Sequence, residues 1–392
     1  MRCLWITRQD PRPADSGELI YTLGLLRSLA VCPGIEITVL AHNAAKRSEG
    51  ETNIRWELHG TIPSGRLKSL PAKLPGDAYR LGNPVQREAL QGLLKERWDW
   101  IIIDQAACAW ALDLLDPSQK LMYLAHNHEA SVRKQVAGDR GGSLAMRMAL
   151  KWDSYKYGRM ERMLGRRASL ISAITPRDAE AFSLDAPGVP IFVLKPGYGG
   201  EIPAGPARPI TAETPRQVVL AGAFEWLAKR RNLETFLLAA SKPFQAARIG
   251  FQVVGKADPA WFAALARQHP WASFEANVPS VTPYLDQARI GLIPEALGGG
   301  FKLKALDYIF RGLPLASVEA ALSGVPVDPR REAIAAPDPD SLAEAVAAKI
   351  DDLPFLNHAA AKALENCRSA FRWEDRGIAL ARALENPESL RA

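Results

Sequence analysis

Short apolar runs alternate with amphipathic stretches along nearly the whole chain. Residues 4–7, 36–41, 54–58, 100–104, 120–125, 169–173 and 190–194 read as strands of a first half. Apolar positions recurring every three or four residues predict helices between them, over 18–30, 84–97, 106–115 and 143–167. Thr175-Pro176 opens another, with Thr as N-cap and Pro at the first helical position. Residues 60–84 have no period and are rich in Pro, Gly and basic residues, which predicts a long loop. The period lapses again over 196–215, where five prolines and four glycines mark a linker. Strands at 217–220, 248–254, 272–275 and 290–293 then alternate with helices ending at Ala240 and over 257–268 and 280–286. Residues 341–385 are nearly all helical in pattern. Alternation in both halves predicts an α/β protein of two Rossmann-like parallel domains, 1–195 and 216–370, facing each other across a cleft.

The most informative stretch is ARIGLIPEALGGGFKLKALDYIFRGLPLA, residues 288–316. A strand runs into three glycines, Gly298, Gly299 and Gly300, and then into a helix with Leu303, Leu306, Ile309 and Phe310 on one face. Unpaired N–H groups at such a turn favour an anion, and Lys302 and Lys304 add positive charge. Asp307 lies one turn further in, where a carboxylate accepts hydrogen bonds from sugar hydroxyls. A solvated glycine-rich turn is the plainer alternative. In the first half, His126-Asn127-His128-Glu129 follows the fifth strand, at the strand end where open parallel sheets bind ligands. A pair of surface histidines is the alternative there.

Composition narrows the classes. With 392 residues, 47% hydrophobic and 23% charged, the chain is a globular protein of two domains. No apolar run approaches a bilayer-spanning length, and MRCLWIT begins a strand rather than a signal peptide, so a cytoplasmic location is expected. Four scattered cysteines suggest neither zinc nor disulfides, and no metal or cofactor is expected. The formal charge is +6, and residues 131–167 alone carry ten Lys or Arg against three acidic residues. That segment and the basic loop 61–80 are expected to touch an anionic membrane, giving peripheral contact at its inner face. A charge run is otherwise a solvated face. Nucleic acid is not expected, since Trp152, Tyr155 and Tyr157 are the segment's only stacking aromatics. No G-x-G-x-x-G follows a first strand and no P-loop run is present, which disfavours dinucleotide and P-loop folds.

IPEALGGGFKLKALDYIFRGLPLA resembles the signature helix of the glycosyl transferase group 1 family, retaining enzymes of GT-B architecture. LAGAFEWLAKRRNLETFLLAA, VVGKADPAWFAALARQHPWASFEANVPSVTPYLDQARIGLIP, PADSGELIYTLGLLRSLA, YLAHNHE, ASLISAITPRDAEAF and FVLKPGYGG extend the resemblance over nearly the whole chain. The resemblance implies a hexosyltransferase acting in polysaccharide or glycoconjugate assembly. It would use a nucleotide diphosphate-sugar donor and a glycan, lipid-linked or small-molecule acceptor held by the first domain. Lys229 would neutralise the donor diphosphate, with Arg230 and Arg231 beside it. Gly298, Gly299, Gly300 and Phe301 would offer backbone N–H groups to the distal phosphate, and Gly17 belongs to an N-terminal loop that approaches it. Asp307 would hold the ribose, Asn277 and Val278 would flank the base, and His126 would meet the transferred sugar. Residues 371–392 would form a helix packing back on the first domain.

Three positions depart from the family pattern. Gly299 stands where the first glutamate of E-x7-E is expected, Asp307 replaces the second, and Ala223 replaces a phosphate-loop arginine. Lys302, Lys304 and Arg230 are candidates to restore the charge, and Glu295 to reach the sugar. These departures motivate a second reading, a non-catalytic nucleotide-binding relative. A third is a nucleotide-sugar epimerase on the same fold, for which Asp104 and Glu129 are the candidate acid/base carboxylates.

Overall fold

The computed structural model describes residues 1–43, 53–65, 69–138 and 144–390. The chain divides into two compact units, one of residues 1–199 and 372–392, the other of residues 200–371.

The first unit is built on a seven-stranded sheet with strand order β3-β2-β1-β4-β5-β6-β7, every pairing parallel. The strands are β1 (Arg2–Gln9), β2 (Glu36–His42), β3 (Ile54–Leu58), β4 (Trp100–Asp104), β5 (Leu121–Leu124), β6 (Leu170–Ala173) and β7 (Ile191–Val193). Central strands β4, β5 and β6 are buried at every position, as continuous apolar runs covered on both faces must be. Helices α1 (Gly17–Ala30), α2 (Gly76–Leu81), α3 (Pro84–Leu93), α4 (Glu129–Gly138), α5 (Leu144–Arg167) and α6 (Pro176–Asp185) connect them. Two expectations change here. The loop expected over 60–84 contains α2, a short helix in which Asp77 pairs with Arg80 at 2.7 Å. The helix expected over 106–115 is a 3-10 segment, Ala106–Leu114. Arg66, Lys68, Asp139 and Arg140, counted in the two basic segments, lie outside the described residues.

The second unit has a six-stranded parallel sheet, order β10-β9-β8-β11-β12-β13. Its strands are β8 (Gln217–Ala223), β9 (Gly250–Lys256), β10 (Ala272–Ala276), β11 (Ile290–Ile293), β12 (Leu315–Val318) and β13 (Ile334–Ala336). Helices α7 (Leu227–Ala246), α8 (Pro259–Gln268), α9 (Thr282–Gln287), α10 (Lys304–Phe310), α11 (Pro339–Lys349) and α12 (Leu353–Cys367) follow in order. Its core centres on Phe236, Phe244, Phe251 and Leu292. The segment from 200 to 215 is hydrogen-bonded into this unit. Ile210 exchanges two bonds with the Asn357 amide, at 2.8 and 2.9 Å.

In each sheet the strand order reverses once, between β1 and β4 and between β8 and β11. Loops leaving those strands at their carboxyl ends part in opposite directions and leave a crevice, the ligand position of open α/β sheets.

The last helix, α13 (Trp373–Glu385), belongs to the first unit. The Trp100 indole donates to Leu384 O at 3.1 Å, and the Trp373 ring lies against Gly24 and Gly197. Gly377 lets α13 approach α1 so closely that a Cβ there would sit 2.0 Å from Ser28 O, a backbone atom that cannot swing aside. Gly377→Ala is therefore expected to lower unfolding stability of the first unit by about 1–3 kcal/mol. Chemical denaturation followed by tryptophan fluorescence checks it, and an unchanged midpoint would contradict the packing.

Candidate active site

In the second unit, β8 ends at Ala223 and α7 begins at Leu227, after Trp226 at the N-cap. Trp226 offers no side-chain cap, and no acidic residue occupies the first turn. Lys229 sits in that turn, half-buried. Burial first, then the positive charge of Lys304, pulls its pKa down from the usual lysine value to about 8. Among the described residues no salt bridge holds the Lys229 ammonium. Lys304 is different. Its Nζ lies 2.5 Å from Glu295 Oε1, in a pair of which only 14% and 8% of the side chains are exposed. Burial works against the Glu295 charge, but Lys304, Lys302 and Lys229 outweigh it and hold the carboxyl below the ordinary range.

Glu295 thus does not reach outward as a sugar contact: its Oε1 is bound to Lys304, and its Oε2 is fully buried. Lys304 is correspondingly spent on Glu295. Arg230 is also turned away from Lys229, with Nε donating to Phe224 O at 2.8 Å and its guanidinium 5.0 Å from the Trp261 ring centre. Lys302 folds back on its own turn and donates to Gly299 O at 2.5 Å. The cations that sequence groups together are therefore divided by geometry: Lys304, Arg230 and Lys302 are each held by the protein, whereas among the described residues the Lys229 ammonium has no hydrogen bond or salt bridge.

Asn232 fixes the stretch after β11 to α7. Its amide donates to Leu297 O at 2.8 Å and accepts from Leu297 N at 2.9 Å. Gly298 (φ +112°) and Gly300 (φ +68°) then adopt backbone conformations that a side chain would strain. Phe301 rests on Phe371, and Asp307 occupies the first turn of the short helix α10. Tyr308 anchors that helix under the sheet, its hydroxyl accepting from Ala221 N at 2.9 Å. Asn277, at φ +57°, uses its amide to brace Ala257 across the end of β9, and half-buried Val278 follows it.

In the first unit, β4 ends in Asp104, which is wholly buried. One oxygen lies 2.7 Å from His126 Nε2, and the other accepts from Trp5 Nε1 at 3.0 Å and Thr22 Oγ1 at 2.8 Å. Burial alone would depress the His126 pKa, but the Asp104 carboxylate reverses this and raises it. With Nε2–H directed at Asp104, Nδ1 is the outward nitrogen. Tyr21 packs edge-on against the ring, 5.0 Å away. The sequence offers Asp104 as a candidate acid/base carboxylate; its pairing with His126 is a contact across two strands. Gly17 opens α1 without a side-chain cap from Ser16. His128 is turned inward, bonded to Ser131 Oγ at 2.7 Å and Asp185 at 3.2 Å. Glu129 binds Asn127 and Arg133. Both carboxylates that an epimerase would use are engaged in holding side chains. Among the described residues, no group of three or more His, Cys, Asp or Glu is placed to hold a metal.

Residues 215–352 match the family model described as glycosyl transferases group 1. The chain is a glycosyltransferase. Its two α/β units are those of the GT-B fold. Sucrose-phosphate synthase from Thermosynechococcus elongatus is similar with a TM-score of 0.72 at 16% identity, over 99% of each chain. WaaG, a glycosyltransferase involved in lipopolysaccharide biosynthesis, gives 0.64 at 15%, over 97% of this chain and 99% of that one. Anabaena HepE in complex with UDP and glucose gives 0.63 at 13%, over 98% of this chain and 100% of that one. No curated protein sequence matches the chain. Among its described residues, no helix of this glycosyltransferase is long and apolar enough to cross a membrane.

Proposed function

We propose that this glycosyltransferase moves a hexose, with retention of configuration, from a nucleoside diphosphate donor to a glycan or lipid-linked acceptor in polysaccharide or glycoconjugate assembly. The observation that carries the reading is Lys229, a half-buried ammonium at the first turn of α7 that forms no salt bridge among the described residues. A diphosphate leaving group gains charge as the glycosyl bond breaks, so a pre-aimed cation stabilises the transition state more than the ground state. Backbone N–H groups of Gly298–Phe301 add to it, Asp307 takes the ribose hydroxyls, and Asn277 and Val278 border the base. HepE, similar in fold, binds UDP and glucose. The second unit is the donor domain in this reading, and the first is the acceptor domain. His126 Nδ1 meets the transferred sugar, with Asp104 fixing its tautomer. For retention, the departing phosphate takes the acceptor's proton on the face it leaves. The positive charge of 131–167 directs the first unit to an anionic membrane.

The test is a thermal-shift screen against UDP, GDP, dTDP, ADP and their sugars. A ligand at a hundred times its Kd is expected to raise Tm by about 5 °C or more, and the shift should vanish in Asp307→Ala and Lys229→Ala. Silence from every nucleotide would sink the reading. A shift without turnover across an acceptor panel would favour the non-catalytic relative instead. NMR of the product's anomeric proton decides retention.

A further inference from the structure

Helix α5 is 24 residues long, about 36 Å, whereas the strands of its sheet span three to eight residues. Its buried positions begin only at Lys156. From Leu144 to Tyr155 no residue is buried, although the sequence there is rich in large apolar side chains. Leu144 is 70% exposed, Met148 64%, Tyr155 59% and Trp152 48%. At 100° per residue these four fall within an arc of about 80°, a single outward stripe. Trp152 and Tyr155 stack with ring centres 5.6 Å apart, and exposed Leu70 adjoins them, its carbonyl accepting from Trp152 Nε1 at 3.2 Å. Since α5 runs back toward the start of β6, this uncovered half lies at the carboxyl end of the sheet, the end that carries His126.

The exposed charges on α5 are all positive. Its two acidic residues point inward: Asp153 accepts from Gly76 N at 2.9 Å, and Glu161 is 1% exposed. Lys156 is buried as well, bonded to Ser69 O at 2.9 Å. Lys151, Arg159 and Arg166 are exposed, and Arg147 and Arg162 are half-buried. Arg159, Arg162 and Arg166, with Met163, line an open depression on the basic half of the helix. A second copy of the chain would bring the same positive charge against this face, whereas an anionic lipid surface complements it. Leucine, methionine and paired aromatics beside a single sign of charge are the composition of a helix that lies in a membrane interface.

We propose that the outer face of α5 docks on an anionic phospholipid bilayer, with Leu144, Met148, Trp152 and Tyr155 entering the headgroup boundary and the arginine depression gripping lipid phosphates. It rests on the glycosyltransferase reading only for what it delivers, an acceptor presented at the bilayer surface. The experiment is co-sedimentation of the full chain with phosphatidylcholine vesicles, with and without phosphatidylglycerol, at low and moderate salt. Binding is expected only with the anionic lipid. Met148→Ser combined with Trp152→Ser, and Lys151→Glu combined with Arg159→Glu, are each expected to weaken it about tenfold or more. Brominated lipid should quench wild-type fluorescence more than that of Trp152→Phe. Binding that ignores the apolar pair, or equal binding to neutral vesicles, overturns the proposal. So does a dimer in sedimentation velocity that the apolar pair dissolves, since a second copy would then cover the face. Nucleotide thermal shifts of the same variants keep the two readings apart: they should match wild type whichever way the lipid result falls.

Discussion

Lys229→Ala is expected to slow sugar transfer about 10²- to 10³-fold, the usual cost of removing one pre-aimed group that stabilises transition-state charge. Steady-state kinetics with the donor identified by thermal shift measure it, and a loss under tenfold would remove Lys229 from the chemistry. The same lysine makes a pH prediction. Its pKa in the free protein is about 8, so the ammonium that meets the diphosphate is progressively lost above that value. Donor affinity should therefore be flat near pH 7 and fall about tenfold per unit above pH 8. The stability effect has the opposite sense. A lysine with a lowered folded pKa binds its proton less tightly than the unfolded chain does, so holding the charge costs stability at neutral pH. That cost fades as pH rises from 8 toward the ordinary lysine value. Lys229→Met should thus be inactive yet more stable than wild type at pH 7, with the advantage shrinking at pH 10. Activity and stability moving apart would mark a site strained for function.

Asp104→Ala should destabilise the first unit by about 3–5 kcal/mol, because it leaves the Trp5 indole, the Thr22 hydroxyl and the His126 ring without their common acceptor. Asp104→Asn keeps the volume and one acceptor oxygen, and should cost less. The histidine gives this pair a pH signature. A raised folded pKa means that the ion pair contributes fully below pH 6.5 and is lost as pH rises through the folded value. The gap between wild type and Asp104→Asn in urea unfolding should accordingly be wider at pH 6 than at pH 9. Equal gaps would mean that Asp104 serves only as a hydrogen-bond acceptor.

Elements with a strong apolar run bounded by turns are plain in the sequence. Strands Ile54–Leu58 and Trp100–Asp104 fall where the pattern places them. Short or polar elements are not. Helix α2 hides in a proline- and glycine-rich stretch and is held by Asp77 and its partners Arg80, Arg133 and Tyr157, which no local period reveals. Helix α4 has little apolar character, and its first N–H groups are capped from a distance by Glu161, which accepts from Glu129 N at 3.0 Å and Ala130 N at 2.6 Å. Strand β13 is three residues long. The candidate site divides the same way. The glycine turn, Lys229 and His126 carry local signals. Which cation stays available does not, because it depends on Glu295 folding under Lys304 and on Arg230 finding Trp261.

The membership of α13 in the first unit makes the second unit an insertion in it: the chain leaves the first near residue 200 and returns near 372. All strands of the first sheet are synthesised before the second unit begins, but the partner of α1 arrives only after that unit is complete. Until then the groove beside Gly24 and Ser28 has no Trp373 or Gly377 to fill it, and Trp100 lacks its acceptor at Leu384. The second unit, contiguous in sequence, is free to mature on its own schedule, while the first stays unfinished until the last helix docks. Assembly order is written into the connectivity, with α13 acting as the final latch.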